Sequence, residues 1–256
     1  MPNDAIPAAA ERATYLVVAA SSAIGTALVR RLARRGAHIV MTTRRPEALE
    51  ALAAEVDGRV AALDATSFGD LDQAAVDAAA WTGRLDGVVN CAGSIALKPA
   101  HLTSADDLAA VLAANLVTAF ATVRAGASVM RQTGGSIVLI SSAAASVGLP
   151  NHEAIAAAKA GVVGLMRAAA ATYASYGIRV NAVAPGLVAS PLSQLITASE
   201  TALKASIAMH PLGRIGAPDD IARAADWLLG SESAWVTGQV LGVDGGLTTV
   251  RARARA

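Results

Sequence analysis

The chain of 256 residues is poor in cysteine and in aromatic residues. Its one cysteine, Cys91, excludes a disulfide within the chain and favours a reducing compartment. Aromatic residues make up 3% of the sequence, so the core must consist of aliphatic side chains and alanine. The hydrophobic fraction of 54% is large enough to supply such a core.

A strong excess of charge is also missing. The formal net charge is +1, which gives no reason to expect nucleic acid as a partner. No charge-free apolar run reaches the roughly 18 residues of a membrane span, and the N-terminal stretch lacks the pattern of a signal peptide. We therefore expect a cytoplasmic protein that binds neither nucleic acid nor membrane. The basic tail, 249–256, is interpreted as a flexible terminus.

Short apolar runs alternate with longer segments of helical spacing along the chain. Uninterrupted apolar runs are typical of strands that are buried on both faces of a sheet. Strands are predicted at 14–19, 37–42, 59–63, 85–90, 136–141, 178–184 and 239–244, and helices at 24–35, 46–55, 68–80, 104–131, 152–175 and 218–229. The alternation predicts one α/β domain over 1–256, with a core over 14–248. Its fold would be a doubly wound Rossmann-type seven-stranded parallel sheet with helices on both faces.

A loop of small residues, from Ala19 to Gly25, follows the first predicted strand. Bare backbone N–H groups in such a loop, and the positive end of the helix that it opens, favour a phosphate group. Gly25 allows the helix to pack closely against the strand. Ala19 and Ala23 stand where a dinucleotide-binding loop normally has glycine, so the loop is a weak signal by itself.

Further motifs occur after the other predicted strands. They are Asn90-Cys91-Ala92-Gly93, Asn115 in AANLVTAF, Ser142 in VLISSAAAS, Pro185-Gly186 in RVNAVAPGL, and the C-terminal stretches HPLGRIGAPDDIARAADWLLG and WVTGQVLGVDGG. Together with the loop Val18-Ala19-Ala20-Ser21-Ser22-Ala23-Ile24-Gly25, they make residues 14–248 resemble the short-chain dehydrogenase/reductase family. The resemblance implies a nicotinamide cofactor and the interconversion of a carbonyl compound and an alcohol.

The resemblance also reveals a missing group. The family's catalytic pair is Tyr-x-x-x-Lys; Lys159 matches the lysine, but Ile155 stands at the tyrosine position. In the family the tyrosine protonates the carbonyl oxygen and the lysine lowers the pKa of the phenol and binds the nicotinamide ribose. The serine holds the substrate oxygen and the asparagine anchors a water, roles that fall to Ser142 and Asn115. The chain is thus identified as an atypical member that lacks the catalytic tyrosine.

Three groups are candidates to replace the missing acid. Ser142 can donate a proton directly, or a water held by Lys159 and Asn115 can relay one. His152, with Glu153 beside it, can reach in from the first turn of the helix, since His152 lies three residues before the tyrosine position. The predicted catalytic residues are therefore Ser142, Lys159, Asn115 and His152; an exposed polar residue at a helix start is the alternative interpretation of His152.

The resemblance implies a binding site for NADP(H). Arg44, with Arg45 beside it and no Asp, favours the 2′-phosphate of NADP(H) over NAD; a solvated loop charge is the alternative. Asp64 matches a residue that contacts adenine, and a helix cap is the alternative. The methyl groups of Ala19 and Ala23 are expected to make the binding weak or to abolish it. The predicted cofactor-binding residues are Ser21, Ser22, Ile24, Gly25, Arg44, Asp64, Asn90, Ala92, Gly93, Lys159, Pro185, Gly186 and Val188, and no metal site is predicted.

Two further segments suggest ligands. Residues 187–210 are predicted to form a mobile substrate lid. Its apolar residues indicate a small apolar substrate that contains a carbonyl group, namely Leu187, Val188, Leu192, Leu195 and Ile196. The small residues of the helix 152–175, with the helix 104–131, predict a homodimer or homotetramer, packing on the chain's own sheet being the alternative. Cys91 is interpreted as a small buried hydrophobic residue.

Three functions remain open at this point. The first is NADP(H)-dependent reduction of a ketone in biosynthesis, with a substitute proton donor, because general acid catalysis contributes about 10²–10⁴-fold to a rate. The second is a non-redox enzyme on the same scaffold, such as a cyclase, dehydratase, isomerase or lyase. The third is a catalytically inactive subunit paired with an active relative.

Overall fold

The computed structural model describes residues 12–194 and 196–251. Two sequence predictions, that of Leu195 as a lid residue and most of that for the basic tail, lie outside the described residues. The strands are β1 (Thr14–Val18), β2 (His38–Thr43), β3 (Arg59–Ala62), β4 (Gly87–Asn90), β5 (Gly135–Ile140), β6 (Ile178–Pro185) and β7 (Val240–Val243). They form one parallel sheet in the order β3-β2-β1-β4-β5-β6-β7, which confirms the predicted doubly wound sheet.

Helices cover both faces of the sheet. They are α1 (Ala23–Arg34), α2 (Glu50–Val56), α3 (Phe68–Thr82), α4 (Ala105–Leu112), α5 (Thr118–Met130), α6 (Glu153–Tyr173), α7 (Glu200–Ala208) and α8 (Pro218–Leu229). One core cluster joins α3, α5 and α6 to the sheet, and a second joins α1, α2 and α8 to its other face. Both clusters consist largely of Leu, Val, Ile and Ala, as the shortage of aromatic residues requires.

Two predicted helices are interrupted in the structure. Segment 46–55 divides into a 3₁₀ turn, Pro46–Ala48, followed by α2. Segment 104–131 divides at a π turn, Ala113–Val117, between α4 and α5. There Asn115 Nδ2 donates to the carbonyl of Val111 and Thr118 Oγ1 donates to that of Ala114, so side chains compete with the backbone ladder. π turns are often found at functional sites.

Two stretches, Ala105–Met130 and Glu153–Tyr176, are long and apolar enough to cross a bilayer by length and composition alone. Core helices of soluble proteins pass the same test. In this fold α5 and α6 contribute buried side chains to the core cluster on the sheet. Their apolar composition is therefore accounted for by packing within the domain.

Candidate active site

The loop after β1 has the form of an anion-binding turn. Ala19 has a φ of 56°, the left-handed region in which glycine is favoured. Its N–H group donates to Thr42 Oγ1 at 3.2 Å, and that of Ala20 donates to the Thr42 carbonyl at 2.9 Å, so β2 fixes the turn. A Cβ atom on Gly25 would lie 2.8 Å from the Cα of Ala20, which makes glycine necessary there.

Backbone donors at the start of α1 are available to a ligand. Ser22 caps the helix, because its side chain accepts the N–H group of Gly25 at 3.1 Å. Among the described residues, the N–H groups of Ser21, Ala23 and Ile24 donate to no protein acceptor. Three free N–H groups at a helix N-terminus match the needs of a pyrophosphate. The loop thus fits a dinucleotide cofactor.

A groove of about 370 Å³ continues from this loop across the ends of β2 and β3. Arg44 and Arg45 line it and are exposed. Asp64 also lines it and accepts hydrogen bonds from the N–H and Oγ1 of Thr66 at 2.9 and 2.8 Å. These bonds lower the pKa of Asp64, so the carboxylate both caps its own turn and faces the groove.

The two alanines of the loop and the residues after β4 differ in whether they line this groove. Ala19 lines it, whereas Ala23 lines none of the described cavities. Ala92 and Gly93 line it as predicted. Asn90 itself is buried, and its side chain accepts the N–H group of Ala92 at 2.7 Å, so its assignment to the cofactor site stays a prediction. Through this hydrogen bond Asn90 holds the backbone of the loop that follows β4 in place.

Lys159 and Ile155 border a separate cavity of about 170 Å³ at the ends of β4 to β6. Ile155 is 4% exposed and lies one helical turn before Lys159 on α6. Lys159 is 6% exposed, and its Nζ donates to the Ile140 carbonyl at 2.8 Å. Burial lowers the pKa of Lys159 to about 8, with the nearby Cys91 acting in the opposite direction. Ser22, Ile24, Pro185, Gly186 and Val188, all predicted cofactor residues, line the same cavity.

Asn115 and Lys159 converge on one point. A Cβ atom on Gly93 would lie 3.1 Å from Asn115 Oδ1 and 3.5 Å from Lys159 Nζ. The buried Asn115 is held by bonds from Nδ2 to the Val111 carbonyl and to Ser94 Oγ, at 2.9 and 3.0 Å. The side chain is therefore fixed, with its oxygen directed towards Gly93.

Ser142 lies between this cavity and a second one of about 200 Å³. Ser142 Oγ accepts the N–H group of Ala144 at 3.1 Å, which leaves its own proton to donate. His152 lines the second cavity, and its Nδ1 donates to the Pro150 carbonyl at 2.8 Å, since a carbonyl only accepts. His152 Nε2 is then the nitrogen left for a ligand. Glu153 is exposed and lines neither cavity.

The second cavity is apolar and is bordered on one side by the predicted lid. The lid contains a helix that the sequence did not predict, α7, and a 3₁₀ turn, Pro191–Ser193. No Asp, Glu, Lys or Arg lines this cavity in the part of the chain that the structure describes. Its apolar lining residues include Ile95, Leu149, Pro150, Leu187, Ile196 and Met209.

Cys91 lines the cavity beside Lys159. No cation is adjacent to Cys91 in the sequence, but the fold brings the Lys159 ammonium close enough to oppose the effect of burial. Burial prevails and raises the pKa of the Cys91 thiol to about 12. A neutral thiol is a poor nucleophile, so the geometry agrees with a packing role.

His210 is a residue whose role the sequence did not suggest. It is buried after α7, its Nε2 accepts the N–H group of Leu187 at 3.1 Å, and its Nδ1 donates to the Ser206 carbonyl at 2.7 Å. Both ring nitrogens are thus used to hold the lid to the loop that follows β6. Its sequence signal is the HPLGR stretch, which belongs to the C-terminal motif of the family resemblance.

A larger cavity, of about 470 Å³, lies beyond His210. Its charged residues already have partners: Arg214 pairs with Asp220, Arg223 pairs with Asp219, and Asp244 accepts from Thr248. It contains none of Ser142, Lys159 and Asn115. We therefore assign the chemistry to the two smaller cavities.

Comparisons with known proteins identify the family. A family model described as enoyl-(acyl carrier protein) reductase matches residues 18–248. A 2,5-dichloro-2,5-cyclohexadiene-1,4-diol dehydrogenase of Sphingobium indicum is 36% identical over 243 residues, covering 93% of this chain and 97% of the relative. The chain belongs to the short-chain dehydrogenase/reductase family. Its relatives include dehydrogenases and reductases, and also an inactive 2-(S)-hydroxypropyl-CoM dehydrogenase 2 of Xanthobacter autotrophicus, 36% identical over 230 residues, covering 87% of this chain and 100% of the relative.

Solved structures agree with this assignment. A short-chain type dehydrogenase/reductase from Mycobacterium ulcerans has a TM-score of 0.89 and 32% identity, with 94% of this chain and 91% of that chain covered. ElxO with NADPH bound, in a variant in which a tyrosine is replaced by phenylalanine, has a TM-score of 0.86 and 26% identity, with 92% and 98% covered. The fold of this family member is therefore that of its dehydrogenase and reductase relatives.

Proposed function

We propose that the protein binds NADP(H) and reduces a small apolar ketone, as an atypical member of its family in which Ile155 replaces the catalytic tyrosine. The observation that carries the proposal is the convergence of Ser142, Asn115 and Lys159 on one cavity that adjoins the cofactor groove. The groove and the cavity share Ala92 and Gly93 in their linings. The ElxO variant, which holds NADPH with one tyrosine replaced, supports cofactor binding by such a member.

Different residues of the chain would bind the cofactor and the substrate. The free N–H groups of the Ser21 to Ile24 loop would hold the pyrophosphate, and Arg44 the 2′-phosphate. When bound, NADPH supplies the hydride. Ser142 Oγ donates a hydrogen bond to the carbonyl oxygen of the substrate. The apolar linings of both cavities select an uncharged substrate.

The proton is assigned to Lys159, acting through a water. An ammonium whose pKa burial has lowered to about 8 is a stronger acid than an exposed lysine. Asn115 Oδ1 and Lys159 Nζ lie beside Gly93 and line the same cavity, where a bound water would bridge them. His152 lines the second cavity together with Ile155 and is the alternative donor in its doubly protonated form, because in the neutral ring Nδ1 carries the proton and Nε2 only accepts.

Cofactor titration tests the proposal. We expect NADPH to bind more tightly than NADH, and Arg44→Ala to weaken NADPH binding about tenfold while leaving NADH binding unchanged, because only the contact with the 2′-phosphate is lost. Arg131→Ala removes an exposed charge elsewhere and is the matched control. Equal affinities for the two cofactors would contradict the preference for NADP(H). Absence of binding of either would contradict the proposal as a whole and favour the non-redox or inactive-subunit alternatives.

We also propose that the protein is a cytoplasmic homo-oligomer that assembles through α6 and the α4–α5 segment. Exposed small residues recur every three or four positions on α6, namely Ala157, Ala160, Gly164 and Ala168. Such a stripe lets a second helix approach closely, as between two copies of the chain. Phe120 on α5 is also half exposed.

A further inference from the structure

We propose that Lys159 is an amine nucleophile, which forms an imine with small apolar aldehydes and ketones in the cavity beside Ile155. The proposal is independent of hydride transfer and concerns the protein without a nicotinamide cofactor. Imine formation would be a second, non-redox activity of the same cavity.

The first support is the position of the amine. Lys159 lines the cavity from a buried position, and its Nζ has one hydrogen-bond partner among the described residues, the Ile140 carbonyl. The cavity beside Lys159 has a volume of about 170 Å³, and residue 93, which also lines it, is a glycine without a side chain to cover the amine. A small carbonyl compound in this cavity would therefore lie against the lysine.

The second support is the surroundings of the amine. Four isoleucines, Ile24, Ile95, Ile140 and Ile155, line the cavity with Leu187 and Leu192. Within residues 12–194 and 196–251, no carboxylate lines it. A buried ammonium without a counter-ion is unfavourable, which favours the neutral and nucleophilic amine. Lysines activated by an apolar pocket are known nucleophiles for carbonyl groups.

The protonation state follows from these surroundings. Burial lowers the pKa of Lys159 to about 8, and the titratable group that faces it is Cys91, which stays neutral because its own pKa is raised to about 12. At pH 8 about half of Lys159 is then neutral, against roughly 0.4% of an exposed lysine whose pKa is about 10.4.

The reaction balances without an oxidant or a reductant. The nitrogen lone pair attacks the carbonyl carbon, a C–N bond forms, the C=O π electrons move to oxygen, and one amine proton passes from nitrogen to that oxygen. The carbinolamine then breaks its C–O bond, the oxygen leaves as water with the second amine proton, and a C=N bond remains. Ser142 Oγ–H and Asn115 stand at the same cavity and can hold the departing oxygen. A protonated imine withdraws electrons from the neighbouring carbon, which is the step that isomerases and lyases of carbonyl compounds require.

Reductive trapping tests the proposal, and the small number of lysines in the sequence makes the modified residue easy to identify. The full chain has three lysines, Lys98, Lys159 and Lys204, of which Lys98 and Lys204 are exposed partners of Asp107 and Glu200. The cofactor-free protein is incubated at pH 8 with benzaldehyde and sodium cyanoborohydride, which reduces the iminium to a stable amine, and each lysine is quantified by peptide mass spectrometry. The α-amine of the chain has an ordinary pKa close to that of Lys159. It serves as a reference amine whose rate of modification is expected to rise linearly with benzaldehyde concentration.

We expect Lys159 to be modified at least about tenfold faster than Lys204, with saturation in benzaldehyde and competition by cyclohexanone. Lys159→Arg should remove the saturable component, while Lys204→Arg should retain it. Modification of Lys159 no faster than that of Lys204, or a rate that is linear in benzaldehyde, would overturn the proposal. This comparison is made within the unmodified protein, so it holds even if the Lys159→Arg variant does not fold. Because no nicotinamide is added, a failure of NADPH to bind leaves the result unchanged.

Discussion

At the scale of single residues, the proposed function depends on Ile155, because an isoleucine has no proton to give. Ile155→Tyr would restore a hydroxyl one turn before Lys159. We expect kcat/KM for apolar ketones to rise by about 10²–10⁴-fold, the usual contribution of a general acid. NADPH consumption at saturating cofactor measures the effect.

Ile155→Phe is the matched control, since it adds the ring without the hydroxyl. If the Tyr and Phe variants bind NADPH and have the same activity, the missing proton donor is not what limits the rate, and the assignment of Ile155 is wrong.

Lys159 gives the protein a characteristic dependence of stability on pH. Its pKa is about 8 in the folded state and 10.5 in the unfolded chain, so the unfolded state binds more protons between these values. The free energy of unfolding contributed by this group therefore rises as pH increases from about 8 to 10.5, in total by on the order of 3 kcal/mol. Cys91 acts oppositely at higher pH, since its pKa is raised by folding.

The free energies of unfolding of the wild type and of Lys159→Met can be subtracted, which cancels most of the Cys91 contribution because both proteins contain Cys91. In denaturant unfolding we expect Lys159→Met to be more stable than the wild type by an amount that decreases as pH rises from about 8 to 10.5. Lys204→Met should show no such trend. A difference that is flat with pH would mean that Lys159 is not buried as a neutral amine.

The residues of the site were predictable to different degrees. The sequence motifs located Ser142, Asn115 and Lys159, because each follows a strand or lies on a helix at a fixed spacing. The proximity of Cys91 to Lys159 was not predictable. Cys91 follows β4 and Lys159 lies on α6, and only the folded chain brings both to the same cavity. His210 was missed for the same reason: its partners, Leu187 and Ser206, are defined by the folded lid.

At the scale of elements, the turn between β1 and α1 combines strain with a ligand site. Ala19 adopts a left-handed φ of 56°, which costs a non-glycine residue about 1–2 kcal/mol. Ala19 also lines the groove proposed to hold the cofactor. We expect Ala19→Gly to tighten NADPH binding about tenfold without loss of stability, because relief of strain offsets the greater flexibility of glycine in the unfolded chain.

Ala23→Gly is the control within the same loop. Ala23 is the first residue of α1 and lines none of the described cavities, so this change should leave NADPH affinity unaltered and lower stability by up to about 1 kcal/mol. Calorimetric titration and thermal unfolding of both variants give the answer. Unchanged affinity in Ala19→Gly would show that its methyl group does not hinder the cofactor.

Strands and helices differed in how well the sequence predicted them. The strands were predicted to within two residues because each contains a short apolar run. The strands β1, β2, β4, β5 and β6 are largely buried, whereas β3 and β7, at the two edges of the sheet, are only partly buried. The π turn at Asn115 was missed because two side chains take over backbone acceptors, which apolar spacing does not reveal. Helix α7 was missed because it is short and has few buried residues.

At the scale of the whole molecule, the exposed stripe on α6 predicts self-association. A Cβ on Gly164 would meet no atom within 4 Å in the monomer, so Gly164→Glu should fold normally. In the proposed oligomer it would place charges between two closely packed helices. We expect the mass in solution, measured by light scattering, to fall to that of a smaller assembly.

Ala54→Glu, at an exposed position of α2, is the matched control and should leave the mass unchanged. A monomeric wild type, or a Gly164→Glu variant with the same mass as the wild type, would exclude α6 as the interface.

The central claim is that this member of the family transfers hydride although it lacks the tyrosine. The most direct measurement uses NADPH deuterated at the transferring carbon, the wild-type protein and a panel of small apolar ketones, and detects label in the alcohol by mass spectrometry. The account predicts a deuterated alcohol from at least one ketone, at a rate below that of Ile155→Tyr. Bound NADPH with no deuterium in any product, while Ile155→Tyr transfers the label to the same ketones, would contradict it.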